Sequence, residues 1–499
     1  MNKKIFYHPQ AVQSPNFITI IDEILEEIAL NKSNLYLIKC EGQIKFCQSN
    51  LKGNANACKL CVNTFNIIEK SLNLNEKINI ITLKSNKGVD EKITTFIKEN
   101  INDINSFNDL KKLHYNKINL GYGIVSTYVS ITRNNTWNLI DKELLIRIIK
   151  GALYSLLTFE LTTSDLNVDE VYLYNGRFHD NKPILNLFKS KKFTILETIG
   201  ARVNTRFKKY IFSNSTPHSI TDYTNNILKN WETSNLNDEE KVNIGAQFFE
   251  KRARSISAGD VSYTSGQNIT EFKFLEKKKQ QIVIYNSSPD ELFSIGEEWD
   301  WVFEELYDQA SVIHLLCSEL KDMDFQIILR CHPNLITYKG DEIDRYKDLD
   351  SKFDNFTFIA PDSKISTYGL LFKADYVVSF GSTIGIEASY WNKTSILIGS
   401  SFYQNLDVVH RVQNLKEFLA VLNSQQNENF NKKIEILKYG FFMMEKTYNV
   451  KSFFRLIPTN FQLDNKFMYY SLIKNFSLYK RLLIMFNVLL NRILVRYEK

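Results

Sequence analysis

Two segments of this 499-residue chain put hydroxyls, a guanidinium and an imidazole where strands are expected to end. In Asp375–Ser389, Tyr376 to Ser379 is a β-rich run, Gly381, Ser382 and Thr383 form a turn, and Ile384 to Tyr390 has helical spacing. A strand, tight turn and helix start leave backbone N–H groups unpaired along the positive end of the helix dipole, and the hydroxyls of Ser382 and Thr383 add donors there. Upstream, the apolar run Phe325 to Leu329 leads into Arg330, His332 and Pro333, where the proline ends the strand. Residues two apart on a strand share a face, so Arg330 and His332 can grip one anionic oxygen. Each segment also has a plainer reading, as a helix cap or as a turn. Together, at the carboxyl ends of nearby strands of an alternating α/β segment, they mark where such sheets bind ligands and describe a site for phosphate.

Other polar residues fall at similar places. Ser287 and Ser288 follow the strand Gln280–Tyr285; Ser288 is placed to cap a helix near Glu291, and both hydroxyls can also face the same phosphate. Asn175, Gly176 and Arg177 follow the buried strand Glu170–Tyr174, with His179 and Asp180 just beyond, and Glu197 ends the run Phe193–Leu196. Cys40, Cys47, Cys58 and Cys61 crowd into 22 residues, while Cys317 and Cys331 stand apart. Cys58 and Cys61 form a Cys-x-x-Cys knuckle, so the four thiolates suit a closed, structural zinc site, with Gly42 and Gly53 allowing the turns. The same ligands suit an iron–sulfur cluster, and two buried cysteines beside a chance Cys-x-x-Cys is the plainer reading.

The elements that must position these groups alternate. Residues 17–30, 62–72 and 139–159 have helical periodicity; 35–39, 78–83, 170–174 and 193–196 read as strands, giving a β-α-β parallel sheet. Residues 86–135 read as mixed helices, and 250–270, basic and rich in Ser and Gly, as a linker or loop. A second α/β unit runs from about residue 280 to 425 with strands at 283–286, 325–330, 356–359, 376–379 and 395–398. The expected domains are 1–265 with the cysteine cluster, 266–450 with the phosphate site, and a tail, 451–499. That tail combines apolar runs with Lys474, Lys480, Arg481, Arg492 and Arg496, which suits an anionic membrane surface or packing back on the first domain.

Composition sets the outer bounds. With 44% hydrophobic and 24% charged residues the chain is an ordinary globular protein, and a net charge of +6 gives no case for a nucleic-acid binder. Its start lacks the apolar core of a secretory signal, and no run reaches the ~20 apolar residues that span a bilayer, so the expectation is a cytoplasmic protein, peripheral on the inner face of the membrane if the tail binds lipid.

The segments around His332-Pro333 and Ser382-Thr383 resemble the carboxyl-terminal half of GT-B glycosyltransferases that build bacterial capsule or lipopolysaccharide. The first is similar to the His-Pro motif, and the second to the hydroxyl-pair motif, of the bacterial sialyltransferase and Kdo-transferase groups. Tyr174–Phe178 and Tyr285–Glu291 resemble loops of capsule-synthesis proteins. The resemblance implies an α/β fold of the GT-B type, two Rossmann-like domains facing a central cleft. It implies donor binding by His332, Pro333, Ser382 and Thr383 and a donor-sugar or ribose contact at Glu387; Arg330, His332 and the loop from Gly381 to Thr383 are expected to offset the leaving group's charge, so no cofactor is expected for catalysis.

Glycosyl transfer needs the leaving phosphate stabilised and, for inversion, a group to take the acceptor proton. His179, Asp180 and Glu197 are the candidates for that base, and Arg177 for an acceptor carboxylate or phosphate. Asp322 and Asp324 precede their strand and read as solvated. The expected partners are a nucleotide sugar, with a CMP-activated acidic sugar as the donor the resemblance points to, and a saccharide or lipid-linked acceptor. A sugar-nucleotide 2-epimerase of the same fold and a non-catalytic assembly protein are the alternatives.

Overall fold

The computed structural model describes residues 2–449 apart from 12–13, 200–207, 257, 260–262, 265, 273–278 and 425–432. The basic tail 451–499 lies outside the described residues, as does part of the segment read as a linker.

In chain order the first strands are β1 (Asn2–Tyr7), β2 (Ser33–Lys39), β3 (Asn79–Thr82), the short pair β4 (His114–Tyr115) and β5 (Ile118–Asn119), β6 (Glu170–Tyr174), β7 (Lys192–Ile199) and β8 (Lys208–Ser213). They are followed by β9 (Gln280–Tyr285), β10 (Phe325–Arg330), β11 (Phe356–Ile359), β12 (Tyr376–Ser379), β13 (Thr394–Ile398), β14 (His410–Val412) and β15 (Tyr448–Asn449). Two sheets carry the chain. One has the order β15-β8-β7-β6-β1-β2-β3, the other β11-β10-β9-β12-β13-β14, and β4 pairs with β5. The second sheet is parallel throughout; the first is parallel from β7 to β3, with β8 and β15 antiparallel at one edge.

Parallel strands are covered on both faces, so they read as unbroken apolar runs rather than alternations. The five residues Gln281–Tyr285 of β9 are all buried, as are Gln326–Arg330 of β10. This is why the strand expectations hold in both halves. Helices cover the faces: Lys142–Thr163 starts on Asp141, whose side chain accepts from the N–H of Leu144, and buries residues around its whole circumference. Two Rossmann-like α/β units result, as expected.

They divide elsewhere than at residue 265. One unit holds Met1–Tyr128, Asp141–Pro217 and the strand β15; the other holds Val129–Ile140 and His218–Lys446. Residues 218–253, assigned to the first domain by sequence, fold with the second because helix Asp238–Ala253 packs against helix Lys433–Glu445. Two glycines permit that approach. A Cβ on Gly245 would stand 2.4 Å from the carbonyl oxygen of Leu437, and one on Gly440 would stand 2.3 Å from that of Gly245. The same helix shows that the expected loop begins too early: residues 250–253 are helical, and Arg252 is buried.

Candidate functional site

In the second unit Arg330 and Ser379 are each in register with Tyr285 of the intervening β9, so three loops leave the carboxyl edge at one level. Strand spacing puts the outer two about 10 Å apart, with the β9 loop between them. Asn286 joins the β9 and β10 loops: its Oδ1 accepts from the N–H of His332 at 2.7 Å, and its Nδ2 donates to Tyr346 Oη at 3.4 Å. Asn334 Nδ2 donates to Ser288 Oγ at 3.4 Å and to Glu291 Oε1 at 3.0 Å. The β12 loop reaches the same neighbourhood at Gly381, whose φ of +102° suits glycine. A Cβ there would lie 2.5 Å from the carbonyl oxygen of Ser400 and 2.8 Å from Leu292 Cδ1.

His332 caps the short turn Pro333–Thr337, its Nδ1 accepting from the N–H of Asn334 at 3.2 Å. The proton therefore sits on Nε2, which is 4.0 Å from Glu291 Oε2, and the Tyr263 ring meets the imidazole edge-on at 5.3 Å between centroids. Burial, and then the charges of Arg330 and Arg133, pull the His332 pKa down to about 4. It is thus a neutral ring presenting one N–H donor. Arg133, whose guanidinium donates to the Asn334 carbonyl, fixes this turn from the segment Val129–Ile140.

Arg330 does not share this role. The strand ends at Arg330 and the backbone of His332 has already turned into its cap, so the pair is not on a continued strand. Its guanidinium donates to the carbonyl of Cys331 (2.8 Å) beside it and to those of Ala360 (2.9 Å) and Ser363 (3.2 Å) in the loop after β11. Burial lowers its pKa. Ser287 is held by Gln309, which accepts from its N–H at 3.0 Å and donates to its carbonyl and hydroxyl at 3.2 Å. In the helical turn Pro289–Leu292 the carbonyl of Ser288 accepts from the N–H of Glu291 at 3.0 Å.

Glu387 is likewise inside. It is 1% exposed; Arg252 Nε donates to its Oε1 at 3.0 Å and Tyr368 Oη to its Oε2. Arg252 Nη2 also donates to Thr383 Oγ1 at 3.1 Å, and Ser382 Oγ accepts a long 3.4 Å bond from the N–H of Ile384. The helix Ile384–Tyr390 has only seven residues, so its dipole adds little, and the Thr383 hydroxyl is held by the Arg252–Glu387 ion pair. The structure therefore gathers His332, Pro333, Ser288 and Gly381 at the carboxyl edge, with Arg330, Ser287 and Glu387 bonded to protein groups behind it.

In the first unit the expected base candidates are bonded throughout. His179 is 0% exposed; Nδ1 lies 3.1 Å from Thr127 Oγ1, and Nε2 lies 3.0 Å from the carbonyl oxygen of Phe46. Asp180, also 0% exposed, accepts from Gln10 Nε2, from the N–H of Gln48 at 3.0 Å and from Asn181 Nδ2 at 2.9 Å. Both are scaffold groups, since neither can reach a substrate without losing bonds made in the core. Glu197 is half-buried and accepts from Asn175 Nδ2 at 2.6 Å. Asn175 and Gly176, with φ of +60° and +70°, form the tight turn, and Arg177 Nε donates to Ser126 Oγ.

Zinc has no support. Among the described residues no three His, Cys, Asp or Glu side chains are placed to hold a metal ion. Cys58 Sγ accepts from Asn50 Nδ2 at 3.2 Å and Cys61 Sγ donates to the Pro9 carbonyl at 3.6 Å. Burial raises the pKa of Cys40 and, aided by Asp180, carries that of Cys47 well above the usual thiol value.

Several groups were missed in the sequence. His8 follows β1 and is 1% exposed; among the described residues neither ring nitrogen has a hydrogen-bond partner, and burial pulls its pKa down to about 3. A signal existed, because His8-Pro9 repeats the dipeptide His332-Pro333. Asn334 adjoins that second dipeptide. Arg133 and Tyr263 lie in polar stretches that carry no motif, and only packing reveals them.

Among the described residues no helix is long and apolar enough to cross a membrane. No family model matches the chain, and no curated protein matches it. Among solved structures it is similar to the KpsC β-Kdo 2,4-transferase of Thermosulfurimonas dismutans, at 12% identity over 55% of this chain and 79% of that one, with a TM-score of 0.36. The KpsC β-Kdo 2,7-transferase of the same organism gives 14% identity over 59% and 86%, with a TM-score of 0.35. The UDP-GlcNAc 2-epimerase of Neisseria meningitidis bound to UDP-GlcNAc gives 12% identity over 95% and 100%, with a TM-score of 0.24. Likeness at this level assigns neither a family nor an activity.

Proposed function

We propose that the chain is a glycosyltransferase that moves a sugar from a nucleotide donor to a saccharide or lipid-linked acceptor in surface-polysaccharide synthesis. One observation carries this reading: the carboxyl edge of β9, β10 and β12 assembles a neutral imidazole N–H, a serine and a glycine turn at one level of a parallel sheet, where α/β sheets bind nucleotides. The Nε2–H of His332 donates to a donor phosphate oxygen and favours it as the leaving group's charge builds. Gly381, which its φ of +102° and the close Ser400 carbonyl require to be glycine, shapes the turn beside that phosphate. Because the His332 pKa is about 4, this donor persists unchanged through neutral pH. Donor contacts from Ser382 and Thr383 fit the same reading; a CMP-activated acidic sugar and association with the inner membrane face are its finer terms.

The test is a thermal-shift screen against CMP, UDP and GDP with the full chain and with His332→Ala. A stabilising nucleotide whose effect vanishes in the variant supports the reading. Stabilisation by none of the three, or an undiminished shift in the variant, overturns it. Consumption of a nucleotide sugar without any acceptor, yielding its epimer, would replace transfer by 2-epimerisation.

A further inference from the structure

We infer that the first unit carries a groove that binds an acidic oligosaccharide. It supplies the acceptor class for the transfer proposed above, and rests on that reading only for the word acceptor. The groove lies at the carboxyl edge of β2 and β3. One cavity of about 900 Å³ includes Lys45, Lys52 and Lys59 in its lining, and an adjoining one of about 550 Å³ shares Lys45 and adds Lys84. Such volumes hold a few sugar rings. All four lysines are exposed.

Opposing charge is already engaged. Glu41, which lines both cavities, pairs with Lys39 at 2.9 Å, and Asp90 pairs with Lys45 at 2.8 Å. The bonds to Asp90 and Tyr154 raise the pKa of Lys45, so it stays charged. Helix Ala55–Leu72, 18 residues long and without an acidic residue in its first turn, brings Ala55, Cys58 and Lys59 to the wall, so its positive end faces the same space.

The aromatic wall is built deliberately. Phe46 has φ +63°, a conformation bulky residues avoid, and it is held there because its carbonyl oxygen bonds to His179 Nε2. Gly151 leaves room for that bond, since a Cβ would stand 2.3 Å from the Phe46 oxygen and 2.7 Å from His179 Nε2. Gly53 does the same for the ring, its absent Cβ lying 3.0 Å from Phe46 Cε1. A core histidine and two glycines thus maintain a strained phenylalanine in a basic cavity, where its ring can cover a sugar face while lysines meet carboxylates. Concavity and the aromatic wall favour a saccharide over a flat lipid surface.

Calorimetry of the full chain with a short oligogalacturonate, and with a neutral maltooligosaccharide of equal length, tests the inference. The uronate is expected to bind, more weakly at high salt and at least about tenfold more weakly to the triple variant Lys52→Glu, Lys59→Glu, Lys84→Glu, while the neutral sugar does not bind measurably. Equal binding of both sugars, no uronate binding, or undiminished uronate binding by the variant overturns it. So does inorganic phosphate competing as well as the uronate, which would mark a simple anion site. Phosphatidylglycerol vesicles binding through these lysines in place of the uronate would assign the groove to lipid. The nucleotide thermal shift of the same variant should match the parent chain; its loss with uronate binding retained would count against the donor site, not the groove.

Discussion

The chain has two His-Pro dipeptides, each just after a strand that runs parallel to its neighbours, and they are used differently. His332 is oriented: Nδ1 accepts from Asn334, the proton is fixed on Nε2, and that donor points towards Glu291 at the sheet's edge. His8 is deeper, between rings of Phe17 and Tyr174 at 6.2 and 5.3 Å, with both nitrogens unpartnered. The lesson is that a strand-end histidine becomes a directed group only when a neighbour fixes its tautomer. His179 extends the comparison, since both of its nitrogens are bonded and it serves Phe46.

Breaking the support beneath the second site should give the largest effect. Arg252→Met leaves Glu387 buried without its cation, a loss expected to cost about 3–5 kcal/mol in chemical denaturation; a loss under about 1 kcal/mol would mean that the ion pair is peripheral.

The pH dependence separates groups around the second dipeptide. Burial raises Glu342 to about 7 from 4.5, so its contribution is present below about pH 4.5 and is lost as pH rises through 7. Glu342→Gln should remove that decline, worth up to about 3 kcal/mol, from the stability profile. His332 has the opposite sign. Its pKa falls from 6.5 to about 4, so its contribution is present above 6.5 and lost as pH falls towards 4, and His332→Gln should lessen acid lability in that window. Profiles of the two variants that parallel the parent chain's would refute both assignments.

In nucleotide binding, His332→Ala should weaken affinity about 10- to 100-fold, the loss of one hydrogen bond to a charged group, and the parent chain's affinity should vary little between about pH 6 and about pH 8. In the first unit, Gly151→Ala is expected to destabilise by about 1–3 kcal/mol by driving Phe46 and His179 apart, read by thermal or urea unfolding. The smallest effect belongs to His8. Replacing an unpartnered imidazole by an apolar ring removes a desolvation penalty, so His8→Phe should be neutral or stabilising by up to about 1–2 kcal/mol. A destabilisation of several kcal/mol would reveal bonds at His8 that bring it level with His179.

Of the site, the sequence made the strand ends legible and misjudged what their side chains do. Arg330 and His332 are two apart, yet one turns to the carbonyls of Cys331, Ala360 and Ser363 while the other caps a turn. The resemblance implies a donor contact at Glu387, but the arginine that neutralises it is 135 residues away, in a stretch that reads as a loop.

Local composition alone made most strands of the two sheets legible, though not β1, β8, β14 or β15, because β-branched runs buried on both faces and helices with apolar periodicity are properties of neighbouring residues. It also fixed the positions of the tight turns at Asn175-Gly176 and Gly381. The partner of each polar group, the boundary at Pro217, and the strained Phe46 were decided only by tertiary structure. Bonds such as Arg252 to Glu387 and His179 to the Phe46 carbonyl are made between segments far apart in the chain, and no short window of sequence holds both halves of such a bond.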